Sequence, residues 1–281
     1  MERDAGVVTV TLNRPEKRNA INETMWAELL ETFEAVRSRT EDRVLVLTGT
    51  GGAFCSGADL SDAGVAGEHQ LVHMRHVADA ALALHRIPNP TIAKVGGVAA
   101  GAGCSMAFGC DLIVASDEAR FSQIFARRGL SVDFGASWLL PRMIGLHRAK
   151  ELAYFADVLS AKEAEAMGLV NKLVPAGELD AFVDDWSRRL AAGPPLALSM
   201  TKALLNHSFA VSMDDVAVSI MLTDATTYTL PVALISSMRA NFDLTIAAAS
   251  VMLMLLTLVL ILILDRVVGL NRAIGQGVFR S

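Results

Sequence analysis

Two glycine-rich segments hold the residue types from which a backbone-based catalytic site can be built. The first is Ala53-Phe54-Cys55-Ser56-Gly57-Ala58-Asp59-Leu60, soon after a short apolar run. The second is Gly96-Gly97-Val98-Ala99-Ala100-Gly101-Ala102-Gly103-Cys104-Ser105, which follows another such run and opens a helical stretch. Small residues let a ligand approach the main chain closely. A helix start offers unpaired N–H groups and the positive end of a dipole. Two such turns facing each other would aim two amides at one carbonyl oxygen, the arrangement of an oxyanion hole. Competing readings fail on spacing. A dinucleotide fingerprint needs G-x-G-x-x-G, and Met106 stands where the third glycine belongs. A nucleophile elbow needs G-x-S-x-G, and the stretch around Ser105 ends on Ala107 instead.

Other chemistry-bearing residues carry weaker signals. His69, His73 and His76 fall on one helical face, a spacing that zinc can use. No cysteine or carboxylate joins them in a ligand pattern, so a solvated face is expected and no metal. Arg127-Arg128 could meet an anionic ligand or simply be surface charge. Trp138 is expected in the core. Three cysteines, Cys55, Cys104 and Cys110, sit in apolar or glycine-rich surroundings. That sparse, odd count argues for free thiols and a reducing compartment. A net charge of −5 gives no reason to expect nucleic acid. The start Met1-Glu2-Arg3-Asp4 lacks the basic and apolar blocks of a signal peptide.

The elements that would position these residues alternate between strand and helix. Val8, Val10 and Leu12 alternate with threonines, as in a half-buried strand. A helix fits Asn22 to Arg37, with Met25, Leu29, Phe33 and Val36 on one face. Val44 to Leu47, Thr91 to Val95 and Leu112 to Ala115 are short continuous apolar runs, as in strands covered on both faces. Helices fit Glu68 to Leu84, Ala102 to Gly109, His147 to Phe155, Ala181 to Leu190, and from Pro194-Pro195 towards Asn206. Ser160-Ala161-Lys162-Glu163 is a capping box, and Val170 to Val174 a further strand. The class is α/β.

Over about residues 5–207 the chain resembles the enoyl-CoA hydratase/isomerase (crotonase) superfamily. Asn13-Arg14-Pro15-Glu16-Lys17-Arg18-Asn19-Ala20 is similar to the family's first signature, Phe54 to Leu60 to its F-x-x-G-x-D-L turn, and Gly96 to Gly103 followed by Cys110 to Ala115 to its central signature. The resemblance implies a crotonase-like ββα spiral, an acyl-CoA thioester substrate, a homotrimer or hexamer, and no cofactor beyond the coenzyme A of the substrate. It implies oxyanion donors at the amides of Ala58 and Ala102, and coenzyme A contacts from Lys17, Arg18 and Ala20 and from Ala58, Asp59 and Leu60. Hydratases of the family carry two glutamates, and the matching positions are Ser105 and Phe125. Water addition needs positioned carboxylates, so an isomerase-type reaction is expected. Asp133, in Gly129-Leu130-Ser131-Val132-Asp133-Phe134-Gly135, is similar to the P-D-x-G loop of the family's isomerases and is the candidate general acid/base. The resemblance also leaves little room for the family's first strand before Val7. A non-catalytic acyl-CoA binder is the alternative.

The character of the chain changes near Asn206 to Asp214. From Leu244 to Leu264 no residue is charged, a run that would span about 31 Å as a helix, enough for a bilayer core. A transmembrane helix is therefore expected at 244–264. Residues 214–281 resemble the C-terminal end of an ABC-transporter permease, which implies two parts, 1–207 and 208–281, and a membrane transport component as a third reading. Arg266, Arg272 and Arg280 follow the run, where the positive-inside rule keeps them cytoplasmic. An acyl-CoA enzyme is expected on that same side, which one crossing cannot satisfy. A fusion or chimeric chain is the expectation that reconciles them, with a cytoplasmic enzyme part that the helix attaches to a membrane.

Overall fold

The computed structural model describes residues 1–61 and 70–206, the side chains of 70–73 excepted. Met1–Leu205 forms one compact unit, and Asn206–Ser281 a second whose residues from 207 onward lie outside those described. The span expected at 244–264 and the permease-like segment therefore fall outside the described residues. Among the described residues no helix is long and apolar enough to cross a membrane.

In chain order the strands are β1 Glu2–Asp4, β2 Val7–Leu12, β3 Val44–Gly49, β4 Ala53–Cys55, β5 Thr91–Val95, β6 Val98–Ala100, β7 Leu112–Ser116, β8 Arg120–Ser122, β9 Leu159–Ser160 and β10 Lys172–Val174. The α-helices are α1 Glu23–Ser38, α2 Gln70–His85, α3 Ala102–Gly109, α4 Ala136–Ile144, α5 Leu146–Phe155, α6 Ala161–Met167, α7 Leu179–Ala192 and α8 Pro195–Asn206. Two sheets result. One has the order β1-β2-β3-β5-β7-β10, the other β4-β6-β8-β9. A strand of the large sheet is followed at once by a strand of the small one, then by a helix: β3-β4-α2 and β5-β6-α3. This is the ββα repeat the resemblance implies. The segment before Val7 does hold a strand, since β1 pairs antiparallel with β2, Arg3 opposite Val8. Arg3 ties it down through the buried carboxylate of Asp42 at 3.0 Å.

The long apolar runs are explained by what covers them. β3 lies between β2 and β5 in parallel register, Val46 opposite Thr9 and Ile92. Leu45 and Leu47 face the main core with Trp26, Phe33 and Ile113. Val44 and Val46 face a second core with Ile92, Val114, Leu179 and Val183. Helix α7 supplies the last two, so the large sheet is covered on both faces and needs no polar side. Asn22 caps α1, its side chain accepting from Met25 N–H at 3.0 Å. The Ser160–Glu163 capping box opens α6 as expected.

Candidate active site

The segment after β4 and the start of α3 come together through glycines. A Cβ on Gly57, whose φ is +103°, would lie 3.0 Å from the Ala100 carbonyl oxygen and 3.5 Å from the Ala102 nitrogen. A Cβ on Gly101 would lie 3.9 Å from the Gly57 Cα. A Cβ on Gly103 would sit 2.4 Å from the Cys55 carbonyl oxygen, so only glycine lets the first turn of α3 lie against β4. The amides of Ala58 and Ala102 follow Gly57 and Gly101 in these touching turns. No hydrogen bond from either amide is found among the described residues. Ala102 opens α3, where a helix leaves its first N–H groups without helical acceptors.

The turn at 14–21 is stitched to the same place. Ser56 N–H donates to the Arg18 carbonyl at 3.0 Å and Ser56 Oγ to the Lys17 carbonyl at 3.1 Å. Ile21 N–H donates to the Gly57 carbonyl at 2.9 Å, and Asp59 N–H returns to the Ile21 carbonyl at 2.8 Å. Lys17 and Arg18 are exposed, Ala20 is buried and Leu60 is 48% exposed. All six residues expected to contact coenzyme A thus belong to one stitched pair of turns. The Asp59 carboxylate is turned inward, however. It accepts from Ser61 Oγ at 2.6 Å and Ser61 N–H at 3.1 Å, and pairs with Arg14 at 3.0 Å. These partners, Ser61 foremost, hold its pKa down at about 2. Its carboxylate is thus already engaged within the protein, and only its main chain is left for the expected contact.

Sequence reasoning missed Asn19. It is fully buried and left-handed, with φ of +58°. Its Oδ1 accepts from Arg14 N–H at 2.9 Å. Its Nδ2 donates to the carbonyls of Thr50 and Ala53 at 2.9 Å and of Phe54 at 3.2 Å. One side chain thus joins the 14–20 turn to the β3–β4 connection. The only signal was an asparagine, a residue that tolerates the left-handed region, inside a polar turn. Arg14 adds a second tie, donating to the Ala20 carbonyl at 2.6 Å.

The two positions matching hydratase glutamates flank the Gly101 turn. Ser105 is fully buried and its Oγ donates to the Gly101 carbonyl at 3.2 Å. Phe125 is buried, its ring tip 3.9 Å from where a Gly101 Cβ would be. The loop carrying Asp133 leaves the 3-10 turn Ile124–Arg128 and enters α4, which packs against α3. Asp133 is therefore on the loop between the 3-10 turn beside Gly101 and a helix packed on α3, and its neighbour Phe134 lies 3.8 Å from where a Cβ on Gly109, at the far end of α3, would be. Its Oδ1 is sealed from solvent. The neighbouring Phe134 is buried at φ of +48°, a strained conformation for a bulky residue, and its ring stacks on Trp26 at 5.8 Å.

Other expectations resolve differently. Trp138 is not core: it is 39% exposed, with its ring under the Arg142 guanidinium at 3.9 Å and at the edge of His85. The α4 helix carries it outward, because Ala136 and Leu140 take the buried face. Arg127 is engaged by Asp157 at 2.6 Å. His76 pairs with Glu23 at 3.3 Å, while His69 and the His73 side chain lie outside the described residues. Among the described residues no cluster of three metal-ligating side chains occurs. Cys55, Cys104 and Cys110 are free and buried, and burial pushes each thiol up to about 12.

Comparison with known proteins gives a consistent picture. The sequence profile of the enoyl-CoA hydratase/isomerase family matches residues 2–229, beyond both ends of the stretch whose motifs carry the resemblance. A Rhodobacter capsulatus protein named as a probable enoyl-CoA hydratase is 41% identical over 205 residues, 72% of this chain and 78% of that one. A 1,2-epoxyphenylacetyl-CoA isomerase of Escherichia coli is 37% identical over 216 residues, 75% of this chain and 82% of that one. The crystal structure of an enoyl-CoA hydratase of Mycobacterium smegmatis superposes with a TM-score of 0.73 at 33% identity, covering 78% of this chain and 88% of that one.

Proposed function

This chain belongs to the enoyl-CoA hydratase/isomerase family, and we propose that it is an acyl-CoA isomerase that stabilises a thioester enolate between the amides of Ala58 and Ala102. The observation that carries the reading is the contact of the two glycine turns, with Gly57 3.5 Å or less from the Ala100–Ala102 main chain once a Cβ is placed on it. Amides in two touching turns, with no acceptor among the described residues, suit a single oxygen. The developing enolate would place its charge there, which acidifies the α-carbon. Loss of one such donor typically costs about 2.7–4 kcal/mol of transition-state stabilisation.

Asp133 is the proposed acid/base. Its carboxylate takes a proton from C2 of a 3-enoyl-CoA, the electron pair moves into the thioester carbonyl, and the same proton returns at C4 as the 2-enoyl product forms. One carboxylate suffices for this shuttle. The serine and phenylalanine at the two hydratase positions support isomerisation over hydration, since neither activates water. The full chain is expected to convert 3-hexenoyl-CoA to 2-hexenoyl-CoA and to hydrate the latter far more slowly. Asp133→Asn should cut isomerisation by about 10²–10⁴ with coenzyme A affinity unchanged; turnover kept in that variant would reject the role. Hydration faster than isomerisation would favour the activity named for the Rhodobacter relative. The Escherichia relative's name makes a ring-bearing epoxyacyl-CoA the second substrate to assay. Acyl-CoA binding without turnover of any of these would leave a binder.

For the tail, the uncharged run Leu244–Leu264 supports a membrane anchor. The full chain should then stay with the membrane pellet through an alkaline wash, and its release would remove the anchor.

A further inference from the structure

We propose that Ser105 is a positioning residue that orients and polarises the peptide unit bearing the Ala102 donor; this deepens, and rests on, the oxyanion reading above. The Gly101–Ala102 peptide is one planar unit, so its carbonyl and its N–H point in opposite directions and turn together. The Gly101 carbonyl is held twice, by Ser105 N–H at 3.0 Å and by Ser105 Oγ at 3.2 Å. The first bond belongs to the helix ladder. The second comes from a fully buried hydroxyl, where water does not compete.

Behind Ser105 stands Gln123, 2% exposed, whose Nε2 donates to Ser105 Oγ at 3.4 Å. The hydroxyl proton is thereby left for an acceptor. The Gly101 carbonyl at 3.2 Å is nearer than Gln123 Oε1 at 3.5 Å. A chain results: Gln123 N–H to hydroxyl, hydroxyl to Gly101 carbonyl, and through peptide resonance to the Ala102 N–H. Bonds in series strengthen one another where the dielectric is low, and a polarised carbonyl makes its own N–H a better donor. The opposite donor has no hydroxyl behind it: the Gly57 carbonyl, in the peptide unit of the Ala58 N–H, accepts from Ile21 N–H at 2.9 Å and only a weak thiol contact from Cys55 Sγ at 4.0 Å. The position where the resemblance puts a water-activating glutamate thus serves the hole here.

Serine often bonds back to the carbonyl four residues earlier in a helix without further consequence, so the test reads the hole itself. Full-length protein is mixed with butyryl-CoA labelled with ¹³C at the thioester carbonyl, and the carbonyl stretch is followed by difference infrared spectroscopy. In wild type the bound stretch falls below that of the free thioester. In Ser105→Ala the fall is smaller, the Kd for butyryl-CoA stays within about threefold, and kcat for 3-hexenoyl-CoA drops about 5–30-fold at similar KM. That is a fraction of the 10²–10³ lost with a whole donor. A Ser105→Ala stretch equal to wild type would overturn the role of Ser105 and leave the hole standing. An unshifted stretch in wild type would instead remove the hole, and this inference with it. Should the alanine variant not fold, Ser105→Cys replaces it: its weak S–H donor is expected to give a fall smaller than wild type, and an equal one overturns the proposal.

Discussion

Replacing Asn19 should damage the fold more than an ordinary turn substitution, and by a calculable amount. Its side chain makes four short contacts: one accepted from Arg14 N–H and three donated to the carbonyls of Thr50, Ala53 and Phe54. The amide has only two protons for the three carbonyls, so it supplies about three full bonds in all. The contacts with Ala53 and Phe54 are wholly buried. A buried group left without a partner costs about 1–3 kcal/mol. Water that enters the space left by Asn19→Ala recovers part of this. The left-handed backbone at φ of +58° adds about 1 kcal/mol for alanine. The sum is a loss of about 4 kcal/mol, a large share of the roughly 5–15 kcal/mol of a typical domain. Urea unfolding followed by tryptophan fluorescence gives the number directly, through a lower midpoint at unchanged slope. Asn19→Asp provides the sharper comparison. It tolerates the same backbone but sets an anionic oxygen against three carbonyl oxygens, so it should be less stable than Asn19→Ala near neutral pH. A loss below about 1 kcal/mol for alanine, or an aspartate variant more stable than the alanine one, would refute the reasoning.

Further outcomes follow from other residues. Gly103→Ala places a methyl 2.4 Å from the Cys55 carbonyl oxygen, so β4 and α3 must part; unfolding should show a loss of about 3 kcal/mol, with turnover falling as the Ala102 amide shifts. The three buried thiols, pushed up to about 12, should resist a thiol reagent at pH 8 in the folded protein and all react in denaturant; rapid labelling of the native chain would contradict their burial. Asp59 is held at about 2, below its ordinary 3.8. A depressed carboxylate stabilises the fold above its unfolded pKa and stops doing so as pH falls through the folded one. Its contribution, about 1 kcal/mol after screening, should therefore be intact above pH 5 and fade between about 4 and 2. Asp59→Asn should flatten that part of the stability profile measured by denaturation, and an unchanged profile would count against the Arg14–Asp59–Ser61 cluster.

The parts of the fold legible in the amino-acid order are those whose pattern is long enough to have a period or a run. Helix α1 showed its buried stripe from Met25 to Val36, and β3, β5 and β7 showed apolar runs that the two cores on either side of the large sheet account for. The small sheet was illegible. Its strands β4, β6, β8 and β9 are two or three residues long and half of them glycine-rich neighbours of turns; pairing across the chain makes them strands, not local preference. Helix α4 was missed for a related reason, since Pro141 lies inside it and Ala136 and Leu140 bury against partners distant in sequence.

The site divides in the same way. The signature segments 13–20, 54–60 and 96–103, with their glycines at 57, 101 and 103, and the absence of glutamate at 105 and 125 are facts of the amino-acid order alone; the segments were enough to identify the family. That the Gly57 and Gly101 turns touch, that Asn19 ties the 14–20 turn to the β3–β4 connection, that Asp59 faces Arg14 and Ser61, and that Trp138 points outward were decided only in three dimensions. Each depends on hydrogen bonds or van der Waals contacts between residues tens of positions apart. Such contacts leave no local periodicity, because the free energy that selects them exists only once both partners have been brought together.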